Sequence, residues 1–233
     1  MKDVEFMKRR AAEEAVKLVK NGMIVGLGTG STAAHAIRLL AKRNLDIICV
    51  ATSKSSEELA KSLGLKVVDV NDVDYVDITI DGADEVDPQG NLIKGYGGAL
   101  TREKIIAKMS KEEIIIVDET KLVTFLGQRG KLPIEVIPFG WKHTARELSK
   151  YGKASLRILG SEPYITDNGN YIIDLNVGRI EDPVEMESKL NSIPGVVENG
   201  LFIGLATVII VAHSDLRVDI KRVKRSVDTV FDS

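Results

Sequence analysis

The run Met23-Ile24-Val25-Gly26-Leu27-Gly28-Thr29-Gly30-Ser31-Thr32 constrains this chain more than any other. It reads as a short buried strand, a glycine-rich turn and the start of a helix over about 31–43. Glycines let the backbone turn tightly and present its N–H groups, and a helix N-terminus adds partial positive charge. With the hydroxyls of Ser31 and Thr32, the turn is a cradle for an anion, most naturally a phosphate. No Gly-Lys-Ser/Thr follows, so it is not a Walker loop, and Gly26-x-Gly28-x-Gly30 lacks the last interval of a dinucleotide fingerprint. On this segment alone, a plain strand-to-helix turn capped by Ser31 stays open.

The same alternation continues. Residues 4–20 carry apolar positions at helical spacing (Val4, Met7, Ala11, Ala15, Val16, Val19), with Gly22 as the stop. Strands are expected at 45–50, 66–70, 73–80 and 114–117, and helices at 55–63 and from the loop 94–98 to about 110. Strands alternating with helices argue for a parallel sheet covered on both faces. From about 131 the order becomes β-α-β-β-α-β: strand 133–139, helix 142–151, strand 154–159, a hairpin turn at Asn168-Gly169, a helix opened by Asp182-Pro183 with Glu185 in a capping box, and strand 196–203. That order is ferredoxin-like. The strand 206–212 is expected to return to the large sheet. The expected division is therefore 1–130 with 205–233, and 131–204.

Two further loops follow strands of the first half. Asp81-Gly82-Ala83-Asp84 places two carboxylates three apart at a strand's carboxyl end, where ligands of open α/β sheets bind. An acidic surface turn is the bland alternative. Lys94-Gly95-Tyr96-Gly97-Gly98 is a second glycine loop leading into a helix whose first turn holds Glu103. A carboxylate there can serve as a general base, or merely complement the helix dipole. Three such loops after strands of one sheet supply an anion cradle, paired carboxylates, an ammonium and a base. His35, His143 and His213 are scattered, so no metal cluster is expected. The basic cluster Lys221-Arg222-Lys224-Arg225 reads as a solvated tail.

Bulk properties exclude several classes. With 32 basic and 34 acidic side chains the net charge is -2, so no global field draws nucleic acid or an anionic membrane. No stretch approaches the roughly 20 apolar residues of a membrane helix, and 1–20 lacks a signal core, so a cytoplasmic protein is expected. Cys49 is the single cysteine, which rules out an internal disulfide. Its setting, Ile47-Ile48-Cys49-Val50, is that of a buried strand residue rather than a reactive thiol.

These segments together resemble the type A ribose-5-phosphate isomerases. The resemblance is carried by Gly28-Thr29-Gly30-Ser31-Thr32, Thr52-Ser53, Asp81 through Glu85, Lys94 through Lys104, Pro133 through Pro138, Asp167-Asn168-Gly169-Asn170 and Ile193 through Val197. It implies a Rossmann-like large domain with a mostly parallel sheet, a smaller ferredoxin-like α+β domain, no cofactor, a sugar-phosphate substrate, and a homodimer or homotetramer. It also implies that Thr29, Gly30, Ser31, Thr32, Asp81, Gly82, Ala83, Asp84, Lys94, Gly95, Tyr96 and Gly97 line the site. Glu103 matches the family's base, Lys121 a substrate-contacting lysine and Lys8 a lysine near the phosphate. One departure is visible: Tyr96 stands in the family's Gly-Gly-Gly, where a positive φ would strain it. Three other classes remain as rivals: a sugar-phosphate sensor, though no room for a DNA-binding helix-turn-helix is seen before residue 20; a transferase with a nucleophilic carboxylate; and a nucleotide-binding protein.

Overall fold

In the computed structural model, which describes residues 4–226, the apolar run at 114–117 lies within the strand Ser110–Asp118. Ile114, Ile115 and Ile116 are fully buried and Val117 nearly so, as expected of a strand packed on both faces. This strand sits inside a six-stranded sheet of order Val218–Arg222, Val208–Ala212, Ser110–Asp118, Val76–Asp81, Ile24–Leu27, Ile48–Ala51. All neighbours pair in parallel except the edge strand Val218–Arg222, which is antiparallel to Val208–Ala212. Helices α1 (Val4–Val16) and α2 (Ser31–Ala41) share a core with Val25, Leu27, Ile78, Ile80, Ile114 and Ile210. After α3 (Lys54–Ser62), α4 (Leu100–Met109) sets Ile106 against Val50 and Val76. No helix among the described residues is long and apolar enough to cross a membrane.

The second unit is built on a four-stranded sheet of order Val196–Asn199, Leu132–Val136, Tyr171–Asn176, Lys153–Leu156, antiparallel throughout. With α5 (Trp141–Leu148) and α6 (Pro183–Asn191) this is the ferredoxin-like arrangement. Asp182 caps α6 by accepting the Glu185 N–H, with Pro183 in the first turn, while the Glu185 side chain pairs with Lys189.

The two units divide the chain differently from the boundary at 131. The first holds the segments up to Ala83, Arg102–Leu122 and from Gly204 onward; the second holds Asp84–Thr101 and Val123–Ile203. Two-residue strands account for the difference. Glu85–Val86 pairs with Leu92–Ile93, which pairs with Leu201–Phe202, and the Val123 N–H donates to the Val86 carbonyl. Buried Glu85 accepts the Gly127 and Arg129 N–H groups at 2.7 Å each. Such short pairings carry no periodic signal.

Four local expectations are corrected. The first helix stops at Val16, where the Arg43 guanidinium takes the carbonyls of Val16 and Val19. The strand at 66–70 reduces to a bridge between Cys49 and Val67, because Asp69 accepts the Asn71 N–H and turns the chain. The strand at 196–203 breaks at Gly200, where a Cβ would lie 2.4 Å from the Lys94 carbonyl oxygen. Lys221 and Arg222 belong to the edge strand rather than to a tail, and Arg225 donates to the carbonyls of Ala107 and Ser110. Cys49 is buried on its strand, and burial pushes its thiol up to about 12, so it stays protonated and inert.

Candidate active site

In the first unit, the glycine turn ends on Gly30, whose φ of 98° only glycine adopts without strain. Gly30 occupies the N-cap position of α2 with no side-chain cap bond, and the first turn of α2 holds no acidic residue. The helix start thus keeps its donors and its positive end for an anion. Lys8, on α1, reaches the Ser31 hydroxyl at 2.9 Å and Glu5 at 2.6 Å, so its ammonium stands beside the turn.

Asp81 is fully buried at the end of its strand. One carboxylate oxygen accepts the Thr29 N–H at 3.0 Å and the Gly82 N–H at 2.7 Å, which locks the cradle onto the neighbouring strand. Gly28 permits this approach: a Cβ there would stand 2.2 Å from the Asp81 Oδ1 and 2.6 Å from its Cα. A surface turn is therefore not what this aspartate makes.

A hydroxyl network backs the glycine turn, joining Thr29 to Thr52 and Ser53, with Ser56 beside them; the sequence assigned only Thr29 of these to the site. Thr29 Oγ1 lies 2.7 Å from Thr52 Oγ1 and donates to Ser53 Oγ at 2.8 Å, while Ser56 Oγ donates to the Gly28 carbonyl at 2.6 Å. Ser53 also caps α3. The signal was present: Thr52-Ser53 follows a strand and opens a helix, as Thr29 to Ser31 do.

Glu103 lies in the first turn of α4 and is 5% exposed. A carboxylate so removed from water carries little hydration to shed when it takes a proton from carbon. Lys121 closes the turn Glu119–Lys121, which Asp118 caps through the Thr120 N–H at 3.0 Å.

In the second unit, Asp84 accepts the Tyr96 N–H at 2.9 Å. Lys94 is 2% exposed, with its ammonium 5.3 Å from the centre of the Phe202 ring. The departure at Tyr96 causes no backbone strain, because the left-handed positions fall on Gly95 (φ 104°) and Gly98 (φ 83°), not on residue 96. The Tyr96 phenol donates to the Lys131 carbonyl at 3.2 Å, with the Lys131 ammonium 5.0 Å from its ring. Burial is the largest influence on that phenol and holds it protonated, above its ordinary range.

Glu135 explains two of the other motifs. It is fully buried and accepts hydrogen bonds from Thr101 Oγ1 (2.6 Å), Thr166 Oγ1 (3.0 Å), Asn168 Nδ2 (3.1 Å) and Asn170 Nδ2 (2.8 Å). Thr101 precedes Glu103 by two residues on α4. Glu135→Gln turns one acceptor into a donor facing donors, and should cost about 2–3 kcal/mol. Urea unfolding followed by circular dichroism checks this; an unchanged midpoint would contradict the cage. Among the described residues no group of three or more His, Cys, Asp or Glu is placed to hold a metal ion.

Known proteins resemble this chain over most of its length. Residues 48–216 match the family model of ribose 5-phosphate isomerase A (phosphoriboisomerase A). Ribose-5-phosphate isomerase A of Thermococcus kodakarensis is 47% identical over 231 residues, covering 96% of this chain and 100% of that protein. Its counterpart in Pyrococcus abyssi is 50% identical over 221 residues, covering 91% and 96%. A D-ribose-5-phosphate isomerase solved with phospho-erythronic acid superposes with a TM-score of 0.91 at 46% identity, covering 94% of this chain and 99% of that one. The large mostly parallel sheet, the smaller ferredoxin-like sheet and these matches lead to one conclusion: the chain belongs to the ribose 5-phosphate isomerase A family.

Proposed function

We propose that this chain interconverts D-ribose 5-phosphate and D-ribulose 5-phosphate, moving a proton between C2 and C1 through an enediolate with Glu103 as the base. The observation that carries the reading is the family match over 48–216, which contains Asp81, Asp84, Lys94, Glu103 and Lys121. A carbon acid beside a carbonyl is weak, so its ionisation demands stabilisation of the oxygen that becomes negative. Lys94 and the N–H groups of its glycine loop supply this, with the Lys94 charge little screened because it is withdrawn from water.

Glu103 takes the C2 proton and returns it to C1. Asp81 and Asp84 hold sugar hydroxyls, and Asp81 also opens the ring and carries the oxygen-bound proton between O1 and O2. Gly82, Ala83, Gly95, Tyr96 and Gly97 line the site, and Lys121 contacts the substrate. The phosphate rests on Thr29, Gly30, Ser31 and Thr32 with Lys8 beside it. Its binding energy fixes the carbon chain over the base, so a group that does not react still raises the rate. The enzyme uses no cofactor and works in the cytoplasm as a homodimer or homotetramer.

The test is conversion of ribose 5-phosphate by purified protein, with and without EDTA. Turnover of about 10–10³ per second, unaltered by EDTA, is expected. Absence of turnover, with the sugar phosphate still bound tightly, would instead identify a sensor.

A further inference from the structure

The carbonyls of the glycine loop are held by side chains that no step of the proposed chemistry uses. Arg157 donates from Nη1 to the carbonyls of Gly95 (3.2 Å) and Tyr96 (3.1 Å). Asp174 grips the same guanidinium on its other edges, through Nε at 3.0 Å and Nη2 at 2.5 Å, and the arginine side chain is 10% exposed. The next carbonyl, that of Gly97, accepts from the Tyr164 hydroxyl at 3.2 Å. Tyr164 also packs against Gly98, where a Cβ would lie 2.3 Å from the phenol oxygen.

A trans peptide carries its C=O and N–H on opposite sides, so a carbonyl turned to Arg157 sends the next N–H the other way. The Tyr96 N–H is thereby directed to Asp84, 2.9 Å away. The Gly98 N–H closes the turn onto the Gly95 carbonyl at 3.0 Å. Between them, the Gly97 N–H donates to no acceptor among the described residues, and Gly97 is exposed. Its peptide has the arginine charge on its carbonyl, which polarises the amide and strengthens the N–H as a donor.

We infer that Arg157 is a positioning residue of this reaction: anchored by Asp174, it turns the Gly95 and Tyr96 carbonyls to itself and aims the Gly97 N–H at the oxygen that becomes negative in the enediolate. The inference rests on the reading of the Lys94–Gly97 loop as the segment that holds this oxygen. The role needs a planar fork that serves two carbonyls and a carboxylate at once, which an ammonium does not supply.

The test compares Arg157→Met and Arg157→Lys with the parent chain, measuring kcat, KM for ribose 5-phosphate, and inhibition by phospho-erythronic acid and by inorganic phosphate. Removing a direct oxyanion donor typically costs 10²–10³-fold, so an indirect one should cost about 30-fold in kcat. KM and inhibition by phosphate should stay within about 3-fold, while affinity for phospho-erythronic acid, whose planar carboxylate resembles the enediolate, should fall about 10-fold or more. In a third variant, Arg157→Ala, added guanidinium should restore part of the activity. Should Arg157→Met fold poorly, Tyr164→Phe is the milder variant, losing one carbonyl bond and a few-fold in kcat.

Retention of kcat within about 3-fold in both Arg157 variants would overturn the inference, as would parallel loss of phosphate and phospho-erythronic acid binding, which marks collapse of the site. If the parent chain itself fails to bind phospho-erythronic acid, the reading of the loop is wrong and the inference falls with it. Normal turnover in Glu103→Gln would refute the base and leave the role of Arg157 standing.

Discussion

Glu103→Gln is expected to bind ribose 5-phosphate with nearly unchanged affinity and to turn it over about 10³-fold more slowly. The amide has the shape and volume of the carboxyl group, and at 5% exposure the side chain has little freedom to move elsewhere. What changes is chemistry: an amide offers no basic lone pair to a carbon-bound proton. Steady-state kinetics give kcat and KM, and washout of deuterium from C2 reports the proton transfer itself. A drop confined to kcat, with washout slowed equally, marks a group acting in the transition state. If kcat stays within about 10-fold of the parent, another residue is the base.

Gly28→Ala should damage both stability and activity. The added methyl would lie 2.2 Å from Asp81 Oδ1 and 2.6 Å from Asp81 Cα, distances that no rotamer change relieves because one partner is backbone. The strand ends cannot simply part. The Gly28 N–H donates to the Ile80 carbonyl at 3.0 Å, and the Thr29 N–H to the Asp81 carboxylate at 3.0 Å. A cost of about 2–3 kcal/mol is expected from overpacking. A loss of about 100-fold in kcat/KM should accompany it, since the cradle and Asp81 shift together and a displacement near 1 Å has that effect. Denaturant unfolding and kinetics on the same preparation check both numbers, and unchanged values of both would remove Gly28 from this role.

The site divides into parts that were legible along the chain and parts that were not. The strand-turn-helix run at Gly26–Thr32 and the strand end at Asp81 were readable because each is local: the turn, its glycines and its polar residues are neighbours in sequence. The ferredoxin-like order was readable for the same reason. The assignment of 84–101 and 123–130 to the second unit was not, because it depends on two-residue strands and on Glu85 reaching loop 127–129 across about 40 residues.

Read from the chain alone were the alternation of strands and helices, the glycine turn that opens α2, the two carboxylates at Asp81 and Asp84 and the helix-borne Glu103. These follow from periodicity, glycine placement and the chemistry of adjacent side chains. Which polar groups support them depended on how the chain packs. Lys8 meets Ser31, Thr29 meets Thr52 and Ser53, Glu135 gathers Thr101 with Asn168 and Asn170, and Arg157 grips the loop at Gly95 and Tyr96. The reason is physical: such partners lie about 20 to 60 residues apart, and burial obliges each polar group to find one wherever the packing of sheets and helices brings it.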